Sequence, residues 1–149
     1  MDTFMKKNLY IQFENNFFDK IINKKRIEMV NHIKKKINIR HIKDLLDIGT
    51  TEDSSAGSSN IFCKMLNNIK IHKSISNQKI KNKRFKLCIK KSITSKFSKK
   101  TIQNFKSDLV ISSATIEHVG SLKNQIIKVE NMISLSKKYV VISTPNRFY

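Results

Sequence analysis

The chain has 149 residues, 39% of them hydrophobic, which suffices for one domain with a sizeable core and not for two. Lysine and arginine outnumber aspartate and glutamate 30 to 11, a formal net charge of +19, and no apolar run approaches membrane-spanning length. Lysine carries this charge far more than arginine, alongside an excess of isoleucine and asparagine throughout; the even bias reads as a composition effect. A surface shaped for nucleic acid favours arginine, whose fork binds phosphate and bases bidentately.

The amino-terminal residues Met1 to Lys7 show no apolar secretion-signal core. Cys63 and Cys88 stand far apart, without metal-ligand spacing to His41, His72 or His118, so neither a disulfide framework nor a metal site is expected. The chain reads as cytoplasmic, with idle thiols. From Phe17 to Ile37, Phe18, Ile22, Met29, Val30, Ile33 and Ile37 fall at helical spacing, with Lys24, Lys25, Lys34, Lys35 and Lys36 over much of the rest. The expected element is an amphipathic helix ahead of the first strand, so residues 1–40 form a helical cap and 41–149 the core.

Leu45 to Ile48 is the first predicted strand, interrupted by Asp47, and Gly49 opens a tight turn. Thr50 to Ser58 carries no bulky side chain, so backbone amides there can approach a ligand, and Ser58 or Ser59 can cap a helix reaching about Leu66. Strand, glycine turn and helix form the unit with which an α/β sheet meets a nucleotide-type ligand. Ile69 to Ser76 alternates apolar with polar residues and predicts a second strand. Asn77 to Asp108 reads as helix then strand, with Phe85, Leu87 and Ile89 at strand spacing. Asp108 introduces a buried strand, Leu109 to Ile111, which runs into Ser112, Ser113 and Ala114. After Gly120, Ser121 can cap a helix with the core stripe Leu122, Ile126, Val129 and Ile133, and with Lys137 and Lys138 at its negative end. Tyr139 to Ile142 predicts a further strand that stops at Thr144-Pro145. The alternation predicts an α/β fold, a mainly parallel sheet with helices on both faces.

Two blocks carry a family resemblance: Leu45-Leu46-Asp47-Ile48-Gly49-Thr50-Thr51, and the run from Ser107 through Asp108-Leu109-Val110 to Ile116-Glu117-His118-Val119, followed by the strand of Tyr139 to Asn146. Over roughly Leu45 to Arg147 the chain resembles class I S-adenosylmethionine-dependent methyltransferases, in the small-molecule branch often called type 11. The resemblance implies a Rossmann-like three-layer sandwich: the first five strands of the seven-stranded methyltransferase fold, behind an N-terminal helical cap. The last two strands would lie past Tyr149, so the chain is expected to be C-terminally incomplete, with an open fifth-strand edge on which a partner can pair.

The implied cofactor is S-adenosyl-L-methionine and the implied partner a small-molecule methyl acceptor. By the same resemblance Asp47 helps hold the methionine end, Gly49 lets backbone approach the cofactor, and Thr50 and Thr51 face it. Ser112 and Ser113 lie beneath the methionine moiety. The sequence departs from the family where Thr51 and Asp53 replace further glycines. Ser76 or Asn77 replaces the ribose-binding acid, leaving Asn77 to accept one hydrogen bond, and Ser92 stands near the place of an adenine-contacting acid. Glu117-His118 suits either a general acid/base pair or a loop-organising role, so no catalytic residue is assigned. Adjacent Glu52 and Asp53 read as a solvated loop rather than a cation site. Two other classes remain: a basic RNA-binding or RNA-methylating protein, and a non-catalytic binding module on the same scaffold.

Overall fold

The computed structural model describes residues 16–52 and 60–144, with side chains from Lys20 onward. Five strands, β1 (Asp44–Ile48), β2 (Ile71–Ser76), β3 (Phe85–Lys90), β4 (Ser107–Ser113) and β5 (Ser136–Ser143), form one sheet in the order β3-β2-β1-β4-β5. Every neighbouring pair is parallel. β1 and β4 are buried at every position, as strands covered on both faces must be.

Side chains alternate across the sheet, so Leu45, Leu109 and Ile111 point to one face and Leu46, Ile48 and Val110 to the other. The first set packs with Val30, Ile33 and Ile37 from α1 (Asn16–Lys36) and its end, and with Ile61, Phe62 and Cys63 from α2 (Ile61–Met65). The second packs with Phe105 from α3 (Lys99–Phe105) and with Met132 and Leu135 from α4 (Leu122–Leu135). Each fully buried side chain of this kind contributes roughly 1.5–3 kcal/mol. Helices thus flank a parallel sheet on both faces, a Rossmann-like α/β arrangement. Among the described residues no helix is long and apolar enough to cross a membrane.

Several elements depart from the sequence expectation. Between Asn77 and Asp108 the order is strand then helix: the alternation at Phe85, Leu87 and Ile89 is β3, and Ser98 caps α3 by accepting from the Thr101 N–H at 3.2 Å. In α4, capped by Ser121 as expected, Leu122, Ile126 and Ile133 are 72%, 50% and 60% exposed. The buried residues are Lys128, Met132 and Leu135. The helix carries two stripes at helical spacing, one of them containing a lysine, and spacing alone cannot choose which one meets the sheet. In α1 the burial is confined to the last turns, while Ile21, Ile22 and Ile27 stay exposed. The residue before α2 is Asn60; Ser58, Ser59, Asp53, the Phe18 side chain and the strand stop at Pro145 lie outside the described residues.

Lys137 and Lys138 belong to β5 rather than to the end of α4. Their ammoniums reach two buried carboxylates at the N-terminal end of the sheet. Asp44 accepts from the Asp108 N–H at 2.8 Å, from Lys73 at 3.0 Å and from Lys137 at 3.3 Å, while Asp108 meets Lys138 at 3.3 Å. Burial pushes the Asp44 carboxyl up, but the Asp108 N–H and the two ammoniums outweigh it and hold it below the ordinary value. A depressed carboxylate contributes stability above its unfolded pKa and loses it as pH falls through the folded one. Asp44→Ala is expected to cost about 3 kcal/mol at neutral pH, because it strands Lys73 and the Asp108 N–H. Urea denaturation measures this; a loss under about 1 kcal/mol would show that the cations simply find solvent.

Candidate functional site

In the observed order the chain runs outward from β1 to β3 and then returns to β4, so the order in which strands are added reverses between β1 and β4. Ligands of open α/β sheets bind outside the carboxyl ends of the strands at such a switch point. Here a cleft opens there. Its walls are the turn Ile48 to Thr51 after β1, Ile75 to Gln78 at the end of β2, Lys91 and Ile93 after β3, Thr115, His118 and Val119 after β4, and Lys128 of α4.

The turn is held from below. Gly49 adopts φ +88°, a left-handed conformation that L side chains rarely enter, and donates its N–H to the Ile75 carbonyl at 2.9 Å. A Cβ at Gly49 would stand 2.6 Å from Cγ2 of Thr115, so the missing side chain lets the loop after β4 close against the turn. The Thr50 hydroxyl donates to Asp47 Oδ2 at 3.0 Å and accepts from the Ser74 hydroxyl at 2.8 Å. Ser76 donates to the Thr50 carbonyl at 2.7 Å. The Asn60 amide clasps Thr51, donating to its carbonyl at 2.7 Å and accepting its N–H at 3.3 Å. The turn's polar backbone is therefore largely committed, and its shape is fixed before any ligand arrives.

Of the residues expected to touch a cofactor, Gly49, Thr50, Thr51 and Asn77 line the cleft, and Asn77 is exposed at its rim. Asp47, Ser112 and Ser113 do not line it; all three are buried beneath. Asp47 shapes the turn through Thr50, and its carboxylate also accepts from the Cys63 thiol at 3.7 Å. Burial raises its pKa to about 6, against the pull of the Thr50 and Cys63 hydrogen bonds. Burial, with the Asp47 charge beside it, also pushes the Cys63 thiol well up, so this sulfur acts as a hydrogen-bond donor and not as a nucleophile. Ser113 accepts from the Ser143 hydroxyl of β5 at 3.1 Å. Ser92, the proposed stand-in for an adenine-contacting acid, instead bonds the Thr94 hydroxyl at 2.8 Å, and its neighbour Lys91 takes the place in the wall.

The loop after β4 supplies what sequence reading missed. Ala114 sits at φ 48°, an uncommon conformation for a residue with a Cβ, costing about 1–2 kcal/mol and turning the chain over the cleft. It brings Thr115 against Gly49. The Lys128 ammonium donates to the Thr115 hydroxyl, that hydroxyl is bonded to Ser112, and Ser112 donates to the Ile48 carbonyl at 3.1 Å. Lys128 is wholly buried, and burial lowers its pKa to about 8, partly offset by the charge of Glu117. The signal in the sequence was its phase: Lys128 shares a helix face with Met132 and Leu135. The density of lysines elsewhere concealed it.

Glu117 and His118 stay within ion-pair distance, 3.8 Å from Oε1 to Nε2, though beyond hydrogen-bonding reach; His118 lines the cleft and is mostly exposed, whereas Glu117 stays out of its wall. Among the described residues no group of three His, Cys, Asp or Glu side chains gathers where a metal could be held. Comparison with protein-family models, with curated proteins and with solved structures finds no match for this chain.

Proposed function

We propose that the cleft binds S-adenosyl-L-methionine and that the chain is a methyltransferase acting on a small-molecule acceptor. The observation that carries this reading is the meeting of the two resemblance blocks in space. The left-handed Gly49 turn and Thr115, His118 and Val119 of the loop after β4, distant in sequence, adjoin in the cleft lining at the sheet's switch point. The missing Gly49 Cβ is what lets Thr115 close on the turn, so the two blocks contribute to one cleft lining.

The residues fit the group as follows. The Gly49–Thr51 turn would meet the methionine end, Asn77 at the rim the ribose, and Ile93 and Val119 would offer the apolar wall for the base. The cofactor supplies an electrophilic methyl group on a sulfonium. The chain's part is alignment of donor and acceptor, which needs a rigid cradle more than a fixed acid or base. Asp47 acts through Thr50 and sets the shape of that cradle.

The test is a calorimetric titration with S-adenosylhomocysteine, which avoids turnover. Saturable one-to-one binding is expected; no heat at millimolar ligand with a folded protein would overturn the reading. Asn77→Asp is expected to tighten that binding about tenfold, since a carboxylate at the rim makes charge-assisted hydrogen bonds that the amide cannot. Unchanged affinity would place the ribose elsewhere.

One observation favours a polyanionic acceptor. Lys34, Lys35, Lys36 and Arg40 line a second groove together with Asn67 and Asn68, and no acid stands among its lining residues. RNA retention that falls steeply between low and moderate salt would change the acceptor class without moving the cofactor site.

A further inference from the structure

We propose that Lys128 anchors an anion subsite in the floor of the cleft, holding a carboxylate or phosphate oxygen of the bound ligand. The inference rests on the cofactor reading only for which of these anions is bound.

Its first support is position. Lys128 shows no exposed surface and sits in phase with the buried Met132 and Leu135 of α4. A lysine is almost never fully buried unless paired. Among the described residues its hydrogen-bond partner is the Thr115 hydroxyl, a neutral group, and no carboxylate comes within ion-pair distance. An ammonium has three donors, so the site is left short of acceptors.

The second support is connection to the cleft. Lys128 and Thr115 both belong to its wall, and Thr115 lies against the Gly49 turn. The bonds from Lys128 through Thr115 and Ser112 to the Ile48 carbonyl fix the ammonium beside that turn.

The third is charge. Lys91 stands in the same wall, and no Asp or Glu does. The carboxylate that bears on Lys128 is Glu117, which favours the charged ammonium from outside the wall; Lys91 and His118 are the other titratable groups of the cleft. Burial makes the bare ammonium easier to deprotonate, and a bound anion reverses that tendency.

The experiment measures three probes against wild type and Lys128→Met by calorimetry: S-adenosylhomocysteine, methylthioadenosine and inorganic pyrophosphate. Methylthioadenosine keeps the nucleoside and lacks the amino-acid end. If Lys128 holds the cofactor's carboxylate, Lys128→Met weakens S-adenosylhomocysteine about 10- to 100-fold and leaves methylthioadenosine unchanged. If wild type ignores both nucleosides but binds pyrophosphate, and the variant does not, the subsite stands for a phosphate-bearing ligand and the methyltransferase reading falls. Equal binding of every probe by both proteins, equal loss of both nucleosides, or no binding of any probe by wild type overturns the subsite. Thr115→Val, which removes the hydroxyl that seats the ammonium, gives a milder loss with the same probe pattern and serves if Lys128→Met does not fold.

Discussion

Gly49→Val is expected to abolish ligand binding in the cleft and to cost about 2–4 kcal/mol of stability. Two effects add. The position holds φ +88°, where a side chain costs roughly 1–2 kcal/mol and a β-branched one more. The new Cβ would also press on Thr115, whose methyl carbon lies 2.6 Å from its place. That contact cannot relax freely, because the Thr115 hydroxyl is tied to Ser112 and Lys128. The strain and the clash are separable. Thr115→Ser removes the methyl and keeps the hydroxyl, so in a Gly49→Ala background it should recover about 1 kcal/mol, read as the coupling energy of a double-mutant cycle. Additive single effects would mean that the loop moves aside and that the two walls are independent.

Asp47→Asn is expected to stabilise the protein at neutral pH by on the order of 2 kcal/mol. The carboxyl's pKa rises from 3.8 to about 6 on folding, chiefly through burial. A group raised in this way contributes fully below its unfolded pKa and loses that contribution as pH rises through the folded one. At pH 7 the ionised side chain therefore costs about 3 kcal/mol at 1.36 kcal/mol per unit. The amide keeps an acceptor for Thr50 but brings an N–H₂ group to be housed, which subtracts about 1 kcal/mol. Urea denaturation at pH 4.5 and pH 7.5 separates the terms: the variant's advantage should appear at the higher pH and shrink at the lower. His72, which burial and Arg84 push downward in pKa, loses stability on acidification in both proteins and cancels from the difference. An advantage equal at both pH values would remove the buried charge from the account. Two charged groups buried at one end of the sheet, Asp47 and Lys128, have the character of a site kept at the expense of stability.

Much of the fold was legible because the central strands are short apolar runs bounded by clear punctuation. Leu45 to Ile48 ends at Gly49, and Leu109 to Ile111 follows Asp108, so β1, β4 and the glycine turn could be placed from residue type alone. The region between Asn77 and Asp108 was misordered because its lysines and asparagines fit loop, strand edge and helix surface alike. There only the alternation through Ile89 and the Ser98 cap discriminate. The buried face of α4 was missed for a different reason. Two stripes satisfy the helical period, and the one that meets the sheet contains a lysine, which a hydrophobic pattern scores against.

At the site, the residues that line the cleft through their backbone turn were readable, Gly49, Thr50 and Thr51 among them. Those that reach it through tertiary contact, Thr115 and Lys128, were not. Asp47 illustrates the limit: its type and its neighbours Ile48 and Gly49 mark the turn, but which way its carboxylate points depends on Thr50, Cys63 and burial, none of which spacing records.

Titration of ¹⁵N-labelled protein with S-adenosylhomocysteine, followed by amide chemical shifts, tests the central claim most directly. Saturable shifts should concentrate at Gly49, Thr50, Thr51, Asn77, Gln78 and Thr115 to Val119, the two walls of the switch-point cleft. A spectrum that does not move, or shifts gathered instead around Lys34 to Arg40, would contradict it.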